Sequence, residues 1–271
     1  MKCMVCDSER NTVFDTGQLD GYERHLPNPP NGMTVLQCSD CGLFFFDPQP
    51  SIEQLRSYHS KQYFVCYDPL KQIGYLNYID AEHLKVKEEW GQRIFSWFLS
   101  FDDDRTSAKK VLDVGCATGT MLHGMKKTFK NLNKAVGVDI SNWAIEWGSK
   151  NYSDIELYCG RLPEVVSELQ LGFDYVFDYV VFWDSLEHDS NVHEVLETVR
   201  NIMTSDSLMI IQTPDGALAK HDWYYWSPHQ HTCIFNETNL SMLLKQHGFK
   251  IIRKRLSSEP DEIVVLAKRE H

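Results

Sequence analysis

From Lys109 onward, short runs rich in β-branched and aromatic residues alternate with stretches whose apolar positions recur at helical spacing. Runs at 111–114, 135–139, 155–158, 178–183 and 208–212 predict five strands. The helical segments between them predict crossovers, which make the sheet parallel and doubly wound. Two further runs, at 250–255 and 263–267, flank Ser257-Ser258-Glu259-Pro260-Asp261, a connection too short for a parallel crossover. They predict an antiparallel C-terminal hairpin at the sheet edge, so the fold class is α/β with a doubly wound, mostly parallel seven-stranded sheet. Upstream, Ile52, Leu55 and Tyr58, then Ile94, Trp97 and Phe98, fall at helical spacing until Asp102-Asp103-Asp104 breaks the pattern. The first 50 residues read instead as short strands and turns, with Asp20-Gly21 and Pro27-Asn28-Pro29-Pro30-Asn31-Gly32 as turn signals.

This pattern divides the chain into a small module at 1–50, a helical linker or cap at 51–104 and a large domain at 105–271. With 271 residues, 42% of them apolar, the chain can bury one full α/β core beside a satellite module. No apolar run approaches the roughly 20 residues that span a bilayer, and the N-terminus lacks the apolar region of a signal peptide. A soluble, cytoplasmic protein with no membrane span is expected. The formal charge of −11 argues against nucleic acid as a partner, because binders of phosphate backbones carry a basic footprint. The acidic run Asp102 to Asp104 reads as solvated surface.

Eight cysteines in such a chain read as metal ligands and buried thiols, not disulfides. Cys3-x-x-Cys6 and Cys38-x-x-Cys41-Gly42 form two knuckles whose four thiolates suit a tetrahedral Zn²⁺. All four positions are filled, so the expected zinc is structural, in a zinc-ribbon-like module whose folding draws on metal binding. Cys66, Cys116, Cys159 and Cys233 show no ligand spacing and are expected to be buried thiols.

The first strand of the large domain runs into Gly115-Cys116-Ala117-Thr118-Gly119 and then a helix from about Thr120. Small residues there let the backbone turn sharply and approach a ligand. Thr120 stands where a dinucleotide fingerprint wants its third glycine, which leans away from a nicotinamide cofactor. Asp139 ends the second strand about 20 residues beyond the turn, where an acid accepts hydrogen bonds from both ribose hydroxyls. Its alternative role is to cap the helix beginning near Asn142, which Ser141 can do instead.

From Lys109 to Lys268 the sequence resembles the class I, Rossmann-like S-adenosylmethionine-dependent methyltransferases. The resemblance rests on the turn from Asp113 to Gly119, on Asp139 and on the terminal hairpin. The run Phe177 to His188 is similar to the fourth-strand segment of the small-molecule and sugar branch. Thr213-Pro214-Asp215, Pro228-x-x-His231 with Phe235-Asn236 and Leu240, and Gly248-Phe249 are similar to further segments of that branch. Cys38-Ser39-Asp40-Cys41-Gly42-Leu43-Phe44-Phe45 with Asp47-Pro48-Gln49-Pro50 resembles the zinc-binding module at the start of many such enzymes, including C-methyltransferases of deoxysugar pathways. The resemblance implies S-adenosylmethionine held by Asp113, Gly115, Ala117, Gly119, Asp139, Ile140 and Trp183. Two departures are that Ala117 replaces the usual glycine and that no acid for the adenine stands at 157–162, which leaves that contact to backbone groups near Arg161 and Leu162.

Methyl transfer from a sulfonium is an in-line displacement, so the protein must chiefly position the acceptor. A hydroxyl or carbon acid gains from a general base with a pKa near the working pH. His188, after the fourth strand, either serves as that base or, with Glu187, fastens the next helix. His231 follows the fifth strand in a segment with His221, Trp223, Tyr224, Tyr225, Trp226 and His229, long enough to form a lid, whose aromatics either bind the acceptor or form core. Asp184 is a further candidate for base or acceptor contact. His229-x-His231 with Asp222 offers few ligands for a catalytic cation that would clamp a diol or catechol. Tyr58 and Tyr63 either pack their helices or close over the cofactor. The expected activity is methyl transfer to a small-molecule or glycan acceptor, such as a nucleotide-linked sugar or a surface-polysaccharide residue, with O-methylation preferred. The alternatives are an RNA methyltransferase that grips RNA with the zinc module, and a non-catalytic zinc-containing scaffold.

Overall fold

Two sheets organise the chain in the computed structural model, which describes residues 1–14, 33–65, 77–169, 176–221, 223, 225–227, 230–254 and 261–270. The turn signals at 20–21 and 27–32, Cys66, Asp222, Tyr224, Pro228, His229 and the turn at 257–260 lie outside the described residues. Strands β1 (Asn11–Phe14), β2 (Thr34–Cys38) and β3 (Phe44–Asp47) pair antiparallel in sequence order. Helices α1 (Ile52–Tyr58), α2 (Lys61–Val65) and α3 (Ala81–Phe101) follow. The chain then alternates through β4 (Lys109–Val114), α4 (Thr120–Thr128), β5 (Leu132–Asp139), α5 (Asn142–Asn151), β6 (Glu156–Cys159), α6 (Leu162–Glu168), β7 (Phe177–Trp183), α7 (Val192–Asn201) and β8 (Met203–Pro214). It closes with β9 (Cys233–Ile234), α8 (Glu237–Gln246), β10 (Phe249–Lys254) and β11 (Glu262–Arg269).

The large sheet has seven strands in the order β10-β11-β8-β7-β4-β5-β6. Strands β4 to β8 run parallel, whereas β11 is antiparallel to both β8 and β10. The seven-stranded doubly wound sheet with its terminal hairpin at the edge is thus the one the sequence pattern predicts. Both faces are covered, so successive residues of a strand enter different cores. Tyr179 and Val181 pack with Ile94, Phe95 and Phe98 of α3 and Leu122 and Met125 of α4. Val180 and Phe182 pack on the other face with Leu196 and Val199 of α7 and Leu240 and Leu244 of α8. Double burial is why these strands read as near-continuous apolar runs.

Helix α3 lies on this sheet in backbone contact with α4. A Cβ built on Gly91 would stand 1.9 Å from the Met121 carbonyl oxygen, and one on Gly124 2.4 Å from that of Glu88. Where α3 ends, Asp102 accepts a hydrogen bond from the Tyr179 hydroxyl and pairs with Lys109 Nζ at 2.7 Å. This corrects the expectation of a solvated acidic run. Asp103 and Asp104 are exposed, but Asp102 is turned inward because a buried lysine needs a counter-charge. The other thiols also divide: Cys116 and Cys233 are buried as expected, and Cys159, at the end of β6, is exposed.

The small sheet is completed from far along the chain, in the order β1-β2-β3-β9, with Phe45 of β3 opposite Cys233 of β9. Its core contains Val35, Phe44, Phe46 and Ile234 together with Trp223 and Trp226. Of the two roles open to those tryptophans, packing is the observed one. Among the described residues no helix is long and apolar enough to cross a membrane.

Gly91→Ala is expected to lower stability by about 1–3 kcal/mol, the usual cost of overpacking, because a backbone carbonyl cannot move aside as a side chain would. A urea denaturation midpoint unchanged from the parent would contradict this account of the α3–α4 contact.

Candidate active site

The turn after β4 is shaped by what surrounds it. Gly115 has φ +78°, and a Cβ there would lie 2.4 Å from Ser185 Cβ. Ser185 itself donates to the Val114 carbonyl at 2.6 Å, tying the end of β4 to the loop after β7. Ala117 holds φ +51°, a left-handed conformation that costs a residue with a Cβ roughly 1–2 kcal/mol. It is held there by its N–H, which donates to Asp139 Oδ2 at 2.8 Å. The other Asp139 oxygen accepts the Ser141 N–H at 2.8 Å, while Ser141 Oγ accepts the Ala144 N–H at 3.3 Å. Ser141 therefore caps α5, and Asp139 holds the Gly115–Ala117 turn. Burial pushes the Asp139 carboxyl up, partly offset by the Ser141 N–H. Asp113 lies beneath the turn with no hydrogen-bond partner on either oxygen. Burial, and then the charge of Asp139, raise it to about 7.

A cavity of about 330 Å³ opens beside this turn. Gly115, Ala117, Asp139, Ile140, Arg161 and Leu162 line it, as do Trp183, Asp184, His188 and His231. Asp113 and Gly119 are not among its lining residues; Gly119 packs on Ile155 and Leu157. The Arg161 side chain is engaged away from its backbone. Its guanidinium grips Asp189 with two bonds of 3.1 and 2.8 Å and reaches Glu194 at 2.9 Å. Its backbone N–H donates to Glu164 at 3.0 Å, which leaves Leu162 as the backbone donor of the pair. Trp183 stacks among Trp90 and Trp97, with ring centroids 5.1 and 6.1 Å away. Tyr63 and Tyr225 also line the cavity, whereas Tyr58 packs against the rings of His59 and Tyr63.

The far wall of the cavity gathers titratable groups. Asp184, at φ +50° just after β7, accepts a hydrogen bond from Gln212 Nε2 at 2.9 Å. Asp184 is exposed on the cavity wall, and the desolvation imposed by the protein packed around it raises its pKa to about 6, against the pull of Lys87. A 3₁₀ turn at Leu186–His188 follows and sets His188 with its ring centroid 5.0 Å from that of His231 and 5.6 Å from that of His59. His231 Nδ1 lies 2.7 Å from the Tyr225 carbonyl, and His59 Nδ1 lies 2.9 Å from that of Leu55. A carbonyl can only accept, so Nδ1 carries the proton in both rings and Nε2 keeps a lone pair. Burial lowers His231 to about 4 and takes His188 well below the ordinary range, so both rings are neutral at pH 7.

Thr232 brings the two histidines together. Its N–H and hydroxyl donate to the Glu187 carbonyl at 2.8 and 2.9 Å, and the hydroxyl also reaches the Asp189 carbonyl at 2.9 Å. Gln49 secures the same segment from the N-terminal side by donating to the carbonyls of Phe46 and Thr232 at 2.9 and 2.8 Å. Sequence reasoning missed His59, His83, Lys87 and Glu262, all of which line the cavity. Nothing in their local pattern marks them, since each is a single polar residue at a helix end, within a helix or at the start of a strand.

The four knuckle cysteines converge as well. Cys3 Sγ lies 3.6 Å from Cys41 Sγ and Cys6 Sγ lies 3.5 Å from Cys38 Sγ, with all four sulfurs within 4.8 Å of one another. A tetrahedron with zinc–sulfur bonds of about 2.3 Å has edges of about 3.8 Å, so the cluster fits that ion. It is docked on α8 through Asn239, which donates to the Cys41 carbonyl at 3.3 Å, and Gln246, which donates to that of Val5 at 2.9 Å.

Comparison with known proteins agrees with this architecture. An uncharacterized protein of Rickettsia prowazekii (strain Madrid E) is 36% identical over 98 residues, which is 34% of this chain and 38% of the relative. A ubiquinone biosynthesis O-methyltransferase of Glaesserella parasuis serovar 5 (strain SH0165) is 25% identical over 123 residues, 42% of this chain and 50% of the relative. The chain thus spans half or less of the length of these curated relatives. The magnesium protoporphyrin IX methyltransferase of Synechocystis PCC 6803, solved with bound S-adenosylmethionine, shares the fold with a TM-score of 0.55 at 16% identity, covering 83% of this chain and 100% of that one. Residues 83–254, from the start of α3 to the end of β10, match the family described as methyltransferase domain. With more than half of its length accounted for in this way, the chain belongs to the methyltransferase-domain family.

Proposed function

We propose that this chain transfers a methyl group from S-adenosylmethionine to an oxygen of a small-molecule or glycan acceptor, with a nucleotide-linked sugar or a surface-polysaccharide residue as the favoured class. The observation that carries the reading is that one cavity joins the Gly115–Ala117 turn and the Asp139 carboxylate to the wall of Asp184, His188 and His231. Family membership and the fold shared with methyltransferases support the donor. The net charge of −11 supports an acceptor other than nucleic acid.

Bound S-adenosylmethionine supplies an electrophilic methyl carbon. On this reading the carboxylate of Asp139, whose two oxygens each hold one backbone N–H, accepts the ribose hydroxyls with its remaining lone pairs. Gly115, Ala117 and Ile140 present backbone to the cofactor, Leu162 offers its N–H to the adenine, and Trp183 closes the apolar wall. Asp113 and Gly119 act from behind, by shaping the turn. Toward the acceptor, Asp184 is the group whose basicity best matches neutral pH, since His231 is held down to about 4. His188 and His231 present neutral rings that orient the acceptor.

The cysteine cluster is assigned a structural Zn²⁺ on Cys3, Cys6, Cys38 and Cys41, since the sulfur spacing suits it and no ligand position is left open. Its effect on the site is indirect: β3 starts just beyond Cys41 and pairs with β9, which follows His231.

Three outcomes are expected. Labelled methyl from S-adenosylmethionine, incubated with the chain and an extract of the cells that encode it, should enter the small-molecule and glycan fraction; label in RNA alone would overturn the acceptor class, and no label anywhere would favour a scaffold. Asp139→Ala should weaken S-adenosylhomocysteine binding by about ten- to hundredfold, the worth of about one charge-assisted hydrogen bond, in a calorimetric titration. Metal analysis should find one tightly held zinc per chain, and Cys38→Ser should lose it together with several degrees of melting temperature; a full zinc content in that variant would remove the cluster as a site.

A further inference from the structure

The reading above leaves one group unused. Glu187 is 0% exposed, and neither oxygen of its carboxyl makes a hydrogen bond of normal geometry, with the buried Thr213 hydroxyl as a side-chain donor beside it. His188 stands beside it, with Nε2 3.8 Å from Glu187 Oε1, and the charge of Asp184 acts on it as well. Burying a carboxylate without partners is among the costliest things a fold can do. The fold nevertheless builds this position firmly, because Thr232 clamps the Glu187 carbonyl with two hydrogen bonds. One donor atom each from Glu187, His188 and His231 can be chosen so that all three lie within 4.8 Å of one another. Ligands on a cation with bonds of about 2.1 Å stand about 3–4 Å apart, so a modest side-chain rotation closes the set. His231 is already oriented as metal-bound histidines are: Nδ1–H is donated to a backbone carbonyl and Nε2 is left with its lone pair.

We propose that Glu187, His188 and His231 form a binding site for a divalent first-row transition-metal ion at the acceptor end of the cavity. Two imidazoles and one carboxylate suit such an ion better than Mg²⁺ or Ca²⁺, which favour all-oxygen shells. Three protein ligands leave positions open toward the cavity, and an acceptor with two adjacent oxygens, such as a vicinal diol, fills two of them. This site is distinct from the cysteine cluster, and it differs from a cation held by His229 and Asp222, which lie outside the described residues. The inference rests on the reading of the cavity as a methyl-transfer site. The ion makes the acceptor hydroxyl more acidic, and the hydroxyl proton passes to Asp184. The acceptor oxygen then forms its bond to the methyl carbon as the carbon–sulfur bond breaks. The electron pair of that bond stays on sulfur, leaving neutral S-adenosylhomocysteine.

The test uses the full chain with its cysteine-bound metal in place, dialysed against a weak chelator and titrated with Mn²⁺, with the free ion followed by electron paramagnetic resonance. S-adenosylhomocysteine binding is measured on the same samples. One Mn²⁺ should bind per chain, and Glu187→Gln and His231→Gln should each weaken it by at least about tenfold while S-adenosylhomocysteine binding is retained. Absence of Mn²⁺ binding by the unaltered chain that still binds S-adenosylhomocysteine overturns the metal site alone, as does unchanged Mn²⁺ affinity in both variants. Mn²⁺ binding without S-adenosylhomocysteine binding sustains the site and removes the methyl-transfer reading beneath it.

Discussion

The clasp that Thr232 makes on the turn after β7 is the contact on which the rest of the site depends. Three hydrogen bonds, to the carbonyls of Glu187 and Asp189, join a segment beyond the fifth parallel strand to the end of the fourth. On one side of Thr232 the chain presents His231 to His188, and on the other it enters β9 and pairs with β3 of the N-terminal sheet. The cavity wall of His188 and His231 and the small sheet are therefore one mechanical unit. A module that looks like a satellite in the sequence is a support for that wall, and a structural metal at its cysteines would act on the cavity through β3.

The opposite end of the cavity follows from the sheet itself. Strands β4 and β5 are neighbours in the parallel order, so the Gly115–Ala117 turn and the Asp139 carboxylate emerge side by side at the carboxyl ends of their strands. The hydrogen bond from Ala117 to Asp139 converts that proximity into a defined shape and holds a non-glycine residue in a left-handed conformation. Arg161 does similar work at the start of α6, which it locks to Asp189 just before α7 and to Glu194 in the first turn of α7. Charged groups around this cavity thus divide into those satisfied by close partners, which fix geometry, and those left partly unsatisfied, which are available to ligands. Asp184 and Glu187 fall in the second set.

Burial also explains how one cavity can contain several histidines and acids without becoming highly charged. Desolvation moves the acids up and the histidines down, and each group drifts toward its neutral form near pH 7. Neutral imidazoles with an available lone pair can accept a proton, a hydrogen bond or a metal ion, and a carboxyl tuned near neutrality can exchange a proton with an acceptor.

Local sequence was enough to give the seven-stranded, mostly parallel sheet with its antiparallel edge hairpin, and to mark the glycine turn, Asp139 and the cysteine knuckles. These are written in local signals: apolar runs of strand length, small residues where backbone must come close, thiols at ligand spacing. Tertiary structure alone decided what required two distant segments to meet. That β9 completes the N-terminal sheet is invisible in a strand of two residues. That Trp223 and Trp226 are core and not acceptor contacts depends on β1, β2 and β3 lying beneath them. That Asp102 is turned inward depends on Lys109 and Tyr179, and that Arg161 is a clamp depends on Asp189 and Glu194. His59 stands in the cavity wall where Ser141 donates to its carbonyl at 2.5 Å and ties the end of α1 to the start of α5. Periodicity reports which face of an element is buried, but the partner that buries a polar group is set by packing across the whole chain, which no local window contains.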